Sequence, residues 1–559
     1  MAALLLGPLL RYAGTEDATI WVETDAPCRV EIHIEGSKPC GRRTFTVSGH
    51  HYALVHCEGL APDTAAAYEV RLDGERAWPE PDSSFPPPVI RTHSGAEGDR
   101  TRILFGSCRV SAPHEPPHSL RKDEHPEGRE VDALVALAQR MTRRPPEEWP
   151  HALLLLGDQV YADEVSPKVR EFIRARRDVE VPPGETVADF EEYTQLYCEA
   201  WGEPTIRWLL STVPTAMIFD DHDVHDDWNT SVDWVRKIRG TGWWDRRIQG
   251  GFMSYLIYQH WGNLSPRELA EDALFQLAIE EEDVDLTDAL QDFAYRADRE
   301  VEGTRWSFYR DIGPARVVML DSRAGRVLEP GVRRMVDPRE MRWIEEHATG
   351  GVRHLLLGTS LPLFLTPALH DLEAWNEAVC DGAWGRAAAW VGERVRQGAD
   401  LEHWAAFGDS FEAMCDLIRE VGTGRRGEPP ATIVALSGDV HHAYLAEVAY
   451  RRGTNMRSQV WQAVCSPLRN PLGKNERRMM RTAARPVGAL LTRLLARSAG
   501  VKAPPVRWRY AHDEPWFDNQ VASLVLEDRR ATFLLERTEP PPDSDGRLRL
   551  ERVFEHSLT

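Results

Sequence analysis

The chain has 559 residues, more than one hydrophobic core ordinarily holds, so a large domain with at least one smaller unit is expected. A formal net charge of -21 argues against a general nucleic-acid or anionic-surface partner, while leaving room for a local basic patch that serves a phosphate. The cysteines at 28, 40, 57, 108, 198, 380, 415 and 465 stand singly with no CxxC pair, so reduced, mostly buried thiols are expected rather than a disulfide framework.

The first residues, MetAlaAlaLeuLeuLeuGlyProLeuLeuArg, carry no basic leader and no twin arginine, and no segment reaches membrane length. A soluble, cytoplasmic protein is the expectation. Short β-type runs between turns from 17 to 95 predict an antiparallel β-sandwich, assigned to residues 1–95. Within it, Leu60-Ala61-Pro62-Asp63-Thr64 followed by Tyr68 resembles the tyrosine corner of fibronectin-III modules, where the hydroxyl ties the corner backbone. The proline-rich stretch 79–88 reads as a stiff linker closing this unit near residue 95.

From 101 strands alternate with helices, the pattern of βαβ units and a mainly parallel sheet. Two insertions, 164–213 and 224–305, interrupt it. The second carries Trp228, Trp234, Trp243, Trp244 and Trp261, read as the core of a helical subdomain in preference to a pocket wall. Residues 469–502 hold nine Lys or Arg against Glu476, with Leu490, Leu491, Leu494 and Leu495 at helical spacing. A solvated basic helix with one buried face is expected there, contact with an anionic membrane being the weaker alternative. A hairpin across Glu527–Arg530 returns to the core, and 538–559 is taken as a tail.

Chemistry gathers where apolar strands stop. AlaLeuLeuLeuLeu at 152–156 ends in Gly157-Asp158, with Tyr161 and Asp163 following; AlaMetIlePhe at 216–219 runs into Asp220-Asp221-His222-Asp223; IleValAlaLeu at 433–436 runs into Ser437-Gly438-Asp439-Val440-His441-His442. Open α/β sheets place ligands at the carboxyl ends of their strands. The edge so built would hold Cys108, Asp158, Tyr161, Asp221, His222, Asp439 and His441. Carboxylates suit hard cations, imidazole borderline metals, and thiolate with phenolate a ferric ion or similar Lewis acid, so two unlike metals are suggested. Each residue has a plainer reading alone: Asp158 as a helix cap, His222 as a salt-bridged surface group, Cys108 as a small core residue. Several acids buried together without a cation are costly, and that favours the joint reading.

Gly106-Ser107-Cys108, Gly157-Asp158-xx-Tyr161-Ala162-Asp163, Asp220-Asp221-His222-Asp223 and Ser437-Gly438-Asp439-Val440-His441 resemble the alkaline phosphatase D (PhoD-like) branch of the metallophosphatases over residues 101–537. The resemblance implies a two-sheet α/β sandwich core, a preceding β-sandwich, and a dinuclear phosphoesterase acting on phosphate esters. It further implies that Asp158 bridges the metals, that Cys108, Tyr161 and His441 hold Fe(3+), that Asp221 and Asp439 serve a second ion such as Ca(2+), and that His222 sits beside the leaving-group oxygen. Arg109 is a candidate phosphate clamp, with a structural salt bridge as its alternative. Two departures stand out: Gly358-Thr359-Ser360 occupies a strand end where the general pattern has a His, and Asp439 replaces another His. Both favour oxygen ligands at the second site. The competing function is a scaffold or binding protein with a degenerate site.

Overall fold

The computed structural model describes residues 2–94, 100–280, 283–300, 303–329, 331–539 and 547–559. Its centre is a pair of mixed sheets. In the first, Thr215–Ile218, Ala152–Leu156 and Arg100–Gly106 run parallel, and Arg100–Gly106 then pairs antiparallel with Gln520–Glu527, followed by Arg530–Thr538 and Leu550–Ser557. In the second, Ala315–Leu320, His354–Thr359, Thr432–Ser437 and Gln459–Val464 are parallel, flanked by Phe308–Ile312 on one side and by Tyr444–Tyr450 and Val506–Tyr510 on the other. Ala152–Leu156, Thr215–Ile218, His354–Thr359 and Thr432–Ser437 are buried along their whole lengths, which explains their largely apolar runs. Leu356 and Leu436 of one sheet join Leu104, Leu154 and Ala522 of the other in a single core.

Before this core stands an antiparallel β-sandwich of a four-stranded and a five-stranded sheet. Its first strand, Leu4–Ala13, comes from the apolar N-terminus. Beyond the prolines, Val89–Arg91 pairs with Ala65–Leu72; the expected boundary near 95 lies outside the described residues. Two expectations are corrected here. Cys40 and Cys57 are disulfide-bonded, with Cα atoms 5.4 Å apart, and they join Cys40–Arg43 in one sheet to His50–Glu58 in the other. Partners brought together by packing leave no spacing signal in the chain. The Tyr68 hydroxyl does not tie its own corner: it donates to the Ser211 carbonyl at 2.6 Å, fastening the sandwich to the helix Pro204–Thr212.

Arg11 deepens that junction. Wholly buried, it donates to the carbonyls of Thr215 and Gln259 and to Asn263, so each polar atom withdrawn from water is matched. Trp228, Trp234, Trp244 and Trp261 are core residues, as read from the sequence. Residues 550–557, within the stretch taken as a tail, form the edge strand of the first sheet. The basic region divides into helices Lys474–Ala483 and Pro486–Ser498. Contrary to expectation, Leu490, Leu491 and Leu494 face outward, because the second helix packs through Ala496 and the Arg493–Asp371 ion pair. Among the described residues no helix is long and apolar enough to cross a membrane.

Candidate metal centre

The carboxyl ends of the two sheets meet at one place. The amide of Asp439, at the end of Thr432–Ser437, donates to the Ser107 hydroxyl at 2.9 Å, and the amide of Gly438 donates to the Ser360 carbonyl at 3.0 Å. Gly438 has no room for a side chain, since a Cβ there would fall 1.9 Å from the Ser107 hydroxyl oxygen. Gly157, with φ of 129°, makes the sharp exit that carries Asp158 over the edge. Cys108, Asp439 and His441 all have positive φ, at 55°, 62° and 52°. Strained backbone at three non-glycine residues of one edge is held by its surroundings and is typical of functional sites.

Ligand atoms of Asp158, Asp220 and Asp221 lie within 4.8 Å of one another, as do those of Asp221, His222 and Asp226. The Cys108 thiol lies 3.5 Å from the Asp439 carbonyl, and Asn470 reaches both Tyr161, whose hydroxyl is 3.5 Å from its amide nitrogen, and His441, whose Nδ1 donates to its carbonyl at 2.7 Å. That bond leaves the His441 Nε2 lone pair free for a metal. Asp163 holds the ring of His222 through Nδ1 at 2.9 Å. Asp223 is structural, accepting the amides of Gln159, Val160 and Asp220.

Burial pushes the Asp158 carboxyl well above the usual range, with Asp220 and Asp221 adding to it against the pull of His222. Burial likewise raises the Cys108 thiol and the Tyr161 phenol, and it lowers His441. For His403 burial opposes protonation, but Glu373 and Asp439 outweigh it and hold the pKa well above the usual value. Asp158 Oδ1 and Asp220 Oδ2 are buried without hydrogen-bond partners, and Asp221 Oδ1 has only the Arg323 guanidinium 3.2 Å away. Orphaned carboxylate oxygens beside a thiol, a phenol and an imidazole are what a cation would satisfy, releasing protons as it binds. The donor set fits a metal.

Several residues of the site were not singled out from the sequence. Arg323 is buried and pairs with Asp220, with Asp221 at 3.2 Å and with Glu402 at 2.5 Å. His403 sets Nδ1 2.7 Å from Glu373 and Nε2 3.4 Å from Asp439, and Nε2 has no hydrogen-bond partner. Arg323 follows the end of the strand Ala315–Leu320, whereas His403 lies at the start of a single helical turn with no strand before it. Arg109 is not placed as a phosphate clamp. Its Nε donates to Asp132 at 2.9 Å and another nitrogen to the Ala200 carbonyl at 2.8 Å, so it ties loop to helix as its alternative reading had it.

Residues 135–494 match the PhoD-like phosphatase family. The chain belongs to that family. The match includes Asp158, Tyr161, Asp221, His222, Asp439 and His441, and begins after Cys108; residues 1–90 match a domain of unknown function, DUF7800. A solved structure titled "Structure of PhoD" superposes with a TM-score of 0.59 at 11% identity, covering 99% of this chain and 90% of that one. Purple acid phosphatase PPD1 from yellow lupin (Lupinus luteus) seeds gives 0.46 at 10% identity, over 98% and 73%. No curated protein matches. As a PhoD-like phosphatase the protein is a metal-dependent phosphoric ester hydrolase, with the two-sheet core and leading β-sandwich described above.

Proposed function

We propose that this PhoD-like protein hydrolyses phosphate mono- or diesters at a dinuclear centre lying between the two sheet edges. The observation that carries the reading is the convergence of buried carboxylate oxygens on Asp158, Asp220 and Asp221, of which Asp158 Oδ1 and Asp220 Oδ2 have no partner and Asp221 Oδ1 has only the Arg323 guanidinium. In this reading Asp158 would be a ligand shared by two ions, Cys108, Tyr161 and His441 would hold a ferric one, and Asp221 and Asp439 would hold the second, calcium or another divalent ion. His403 would supply that second ion with a nitrogen, offsetting the His absent at Gly358-Thr359-Ser360. Its Glu373 partner supports this, because metal-ligating histidines commonly donate their other ring N–H to a carboxylate.

When bound, the ions would neutralise phosphoryl charge and provide a nucleophilic water at neutral pH. The protein's own groups do the rest. Arg323 pairs with Asp220 and Asp221 and holds them aimed into the site. Asp163 accepts the Nδ1–H of His222 and, against the burial that opposes charge, favours its imidazolium form, whose Nε2–H is the proton given to the departing alkoxide. The test is Asp158→Asn, which should abolish turnover of an aryl phosphate and lower metal content. Undiminished turnover by the metal-replete variant would sink the reading.

A further inference from the structure

The helix pair Lys474–Ala483 and Pro486–Ser498 reverses the character of the rest of the molecule. With Arg485 between its helices, it carries seven Lys or Arg against one acid, Glu476, in a chain whose net charge is -21. Lys474, Arg478 and Arg485 form no ion pair among the described residues. Beside these charges the apolar side chains point into solvent: Leu490 is 61% exposed, Leu491 63% and Leu494 53%. They share one face of the second helix, since positions i and i+4 stack and i+1 adjoins them. The neighbouring helix Arg386–Gly398 adds Trp390, 58% exposed, and half-exposed Val391. Trp384, whose indole N–H donates to the Ser498 carbonyl at 3.2 Å, links the two elements. Exposed leucines at this density cost free energy in water unless something covers them.

From this juxtaposition we propose that the two basic helices dock the protein on an anionic lipid surface, leucines in the acyl boundary and arginines at the headgroups. Charge complementarity selects this occupant. A second copy would set two like-charged basic faces against each other, whereas anionic headgroups neutralise them, and a basic helix with leucines on its apolar side suits the membrane interface. Docking here would also place the metal centre near the surface. The helix Lys474–Ala483 starts four residues after Asn470, whose carbonyl holds His441, and Arg481 lies over the Phe517 ring, which packs on His442.

The experiment is flotation of the full-length, metal-loaded protein with vesicles of phosphatidylcholine alone or mixed with phosphatidylglycerol, at low and high salt. Binding to the mixed vesicles, weakened about tenfold or more by high salt, is expected. Leu490→Ser with Leu491→Ser and Leu494→Ser should weaken it by a further tenfold or more, as should Arg478→Glu with Arg485→Glu. All five positions are on the surface, so thermal unfolding and aryl phosphate turnover without vesicles should stay at wild-type values. The docking proposal is overturned if mixed vesicles are not bound, or if both vesicle types are bound equally. A dimer in sedimentation that the leucine variant dissolves would overturn it too, by assigning the face to a second copy.

Discussion

His222 offers the most discriminating test of the chemistry. Its Nδ1 is 2.9 Å from Asp163 Oδ1, and the other Asp163 oxygen accepts the Asp226 amide at 2.5 Å, so the ring is held at one nitrogen and Nε2 is left for the substrate. A positioned general acid accelerates a reaction by about 10²–10⁴, and only where the leaving group needs a proton. His222→Gln should therefore slow an alkyl phosphate by about 10²–10³, close to 3–4 kcal/mol in the barrier. A nitrophenyl phosphate, whose leaving group departs as a stable anion, should lose less than about tenfold. Asp163→Asn keeps an oxygen near Nδ1 and loses the charge. A hydrogen bond to a charged group is worth about 1.5–3 kcal/mol, so about ten- to a hundredfold is expected on the alkyl ester. The assay is kcat/KM across esters of graded leaving-group pKa, with metal content verified for each variant. Equal losses on alkyl and nitrophenyl esters would refute the general-acid role and make His222 a residue of ground-state binding.

Arg323→Leu strands Asp220 as a buried, unpaired carboxylate and leaves Glu402 with Arg326 as its one remaining ion-pair partner among the described residues. In chelator-treated protein it should cost about 3–5 kcal/mol by denaturant unfolding, and wild-type stability would mean those acids are not charged. Glu373→Gln should weaken the second ion about 10- to 100-fold by metal titration, with His403→Gln at least as severe; unchanged affinity would leave His403 outside the coordination sphere. His50 links Glu23 of the sandwich at 3.0 Å to Glu191 of the helix Phe190–Trp201 at 2.8 Å. Burial opposes its charge, but the two glutamates raise its pKa from 6.5 to about 9. A raised folded pKa stabilises fully below the unfolded value and is lost as pH rises through about 9. His50→Gln should thus cost at most about 3 kcal/mol near pH 6 and almost nothing near pH 10, read as the gap between melting curves.

The candidate site was legible in the sequence to the extent that each ligand follows an aliphatic strand. Asp158 and Asp221 each follow four or five apolar residues and one small or acidic one, Asp439 and His441 follow IleValAlaLeu within five residues, and a parallel strand's carboxyl end has one place to go. The groups that tune these ligands gave no such signal. Glu373 sits mid-helix, and His403 opens a single helical turn; nothing in their neighbours marks them, because their partners are thirty or more positions away in the chain. Arg109 shows the converse. Beside Cys108 in sequence it looked like part of the chemistry, yet its guanidinium turns to Asp132.

Sequence by itself determined the class of fold, the strand ends that bear ligands and the family, because burial on both faces forces continuous apolar runs and catalysis fixes residue types at their ends. Tertiary structure alone decided what spans the chain: the Cys40–Cys57 bond, Tyr68 reaching Ser211, the Arg323 network, and the turning of Leu490, Leu491 and Leu494 toward solvent. Periodicity tells which residues share a face of an element. Which neighbour that face meets depends on contacts between distant segments, and these exist only once the sheets have closed on one another.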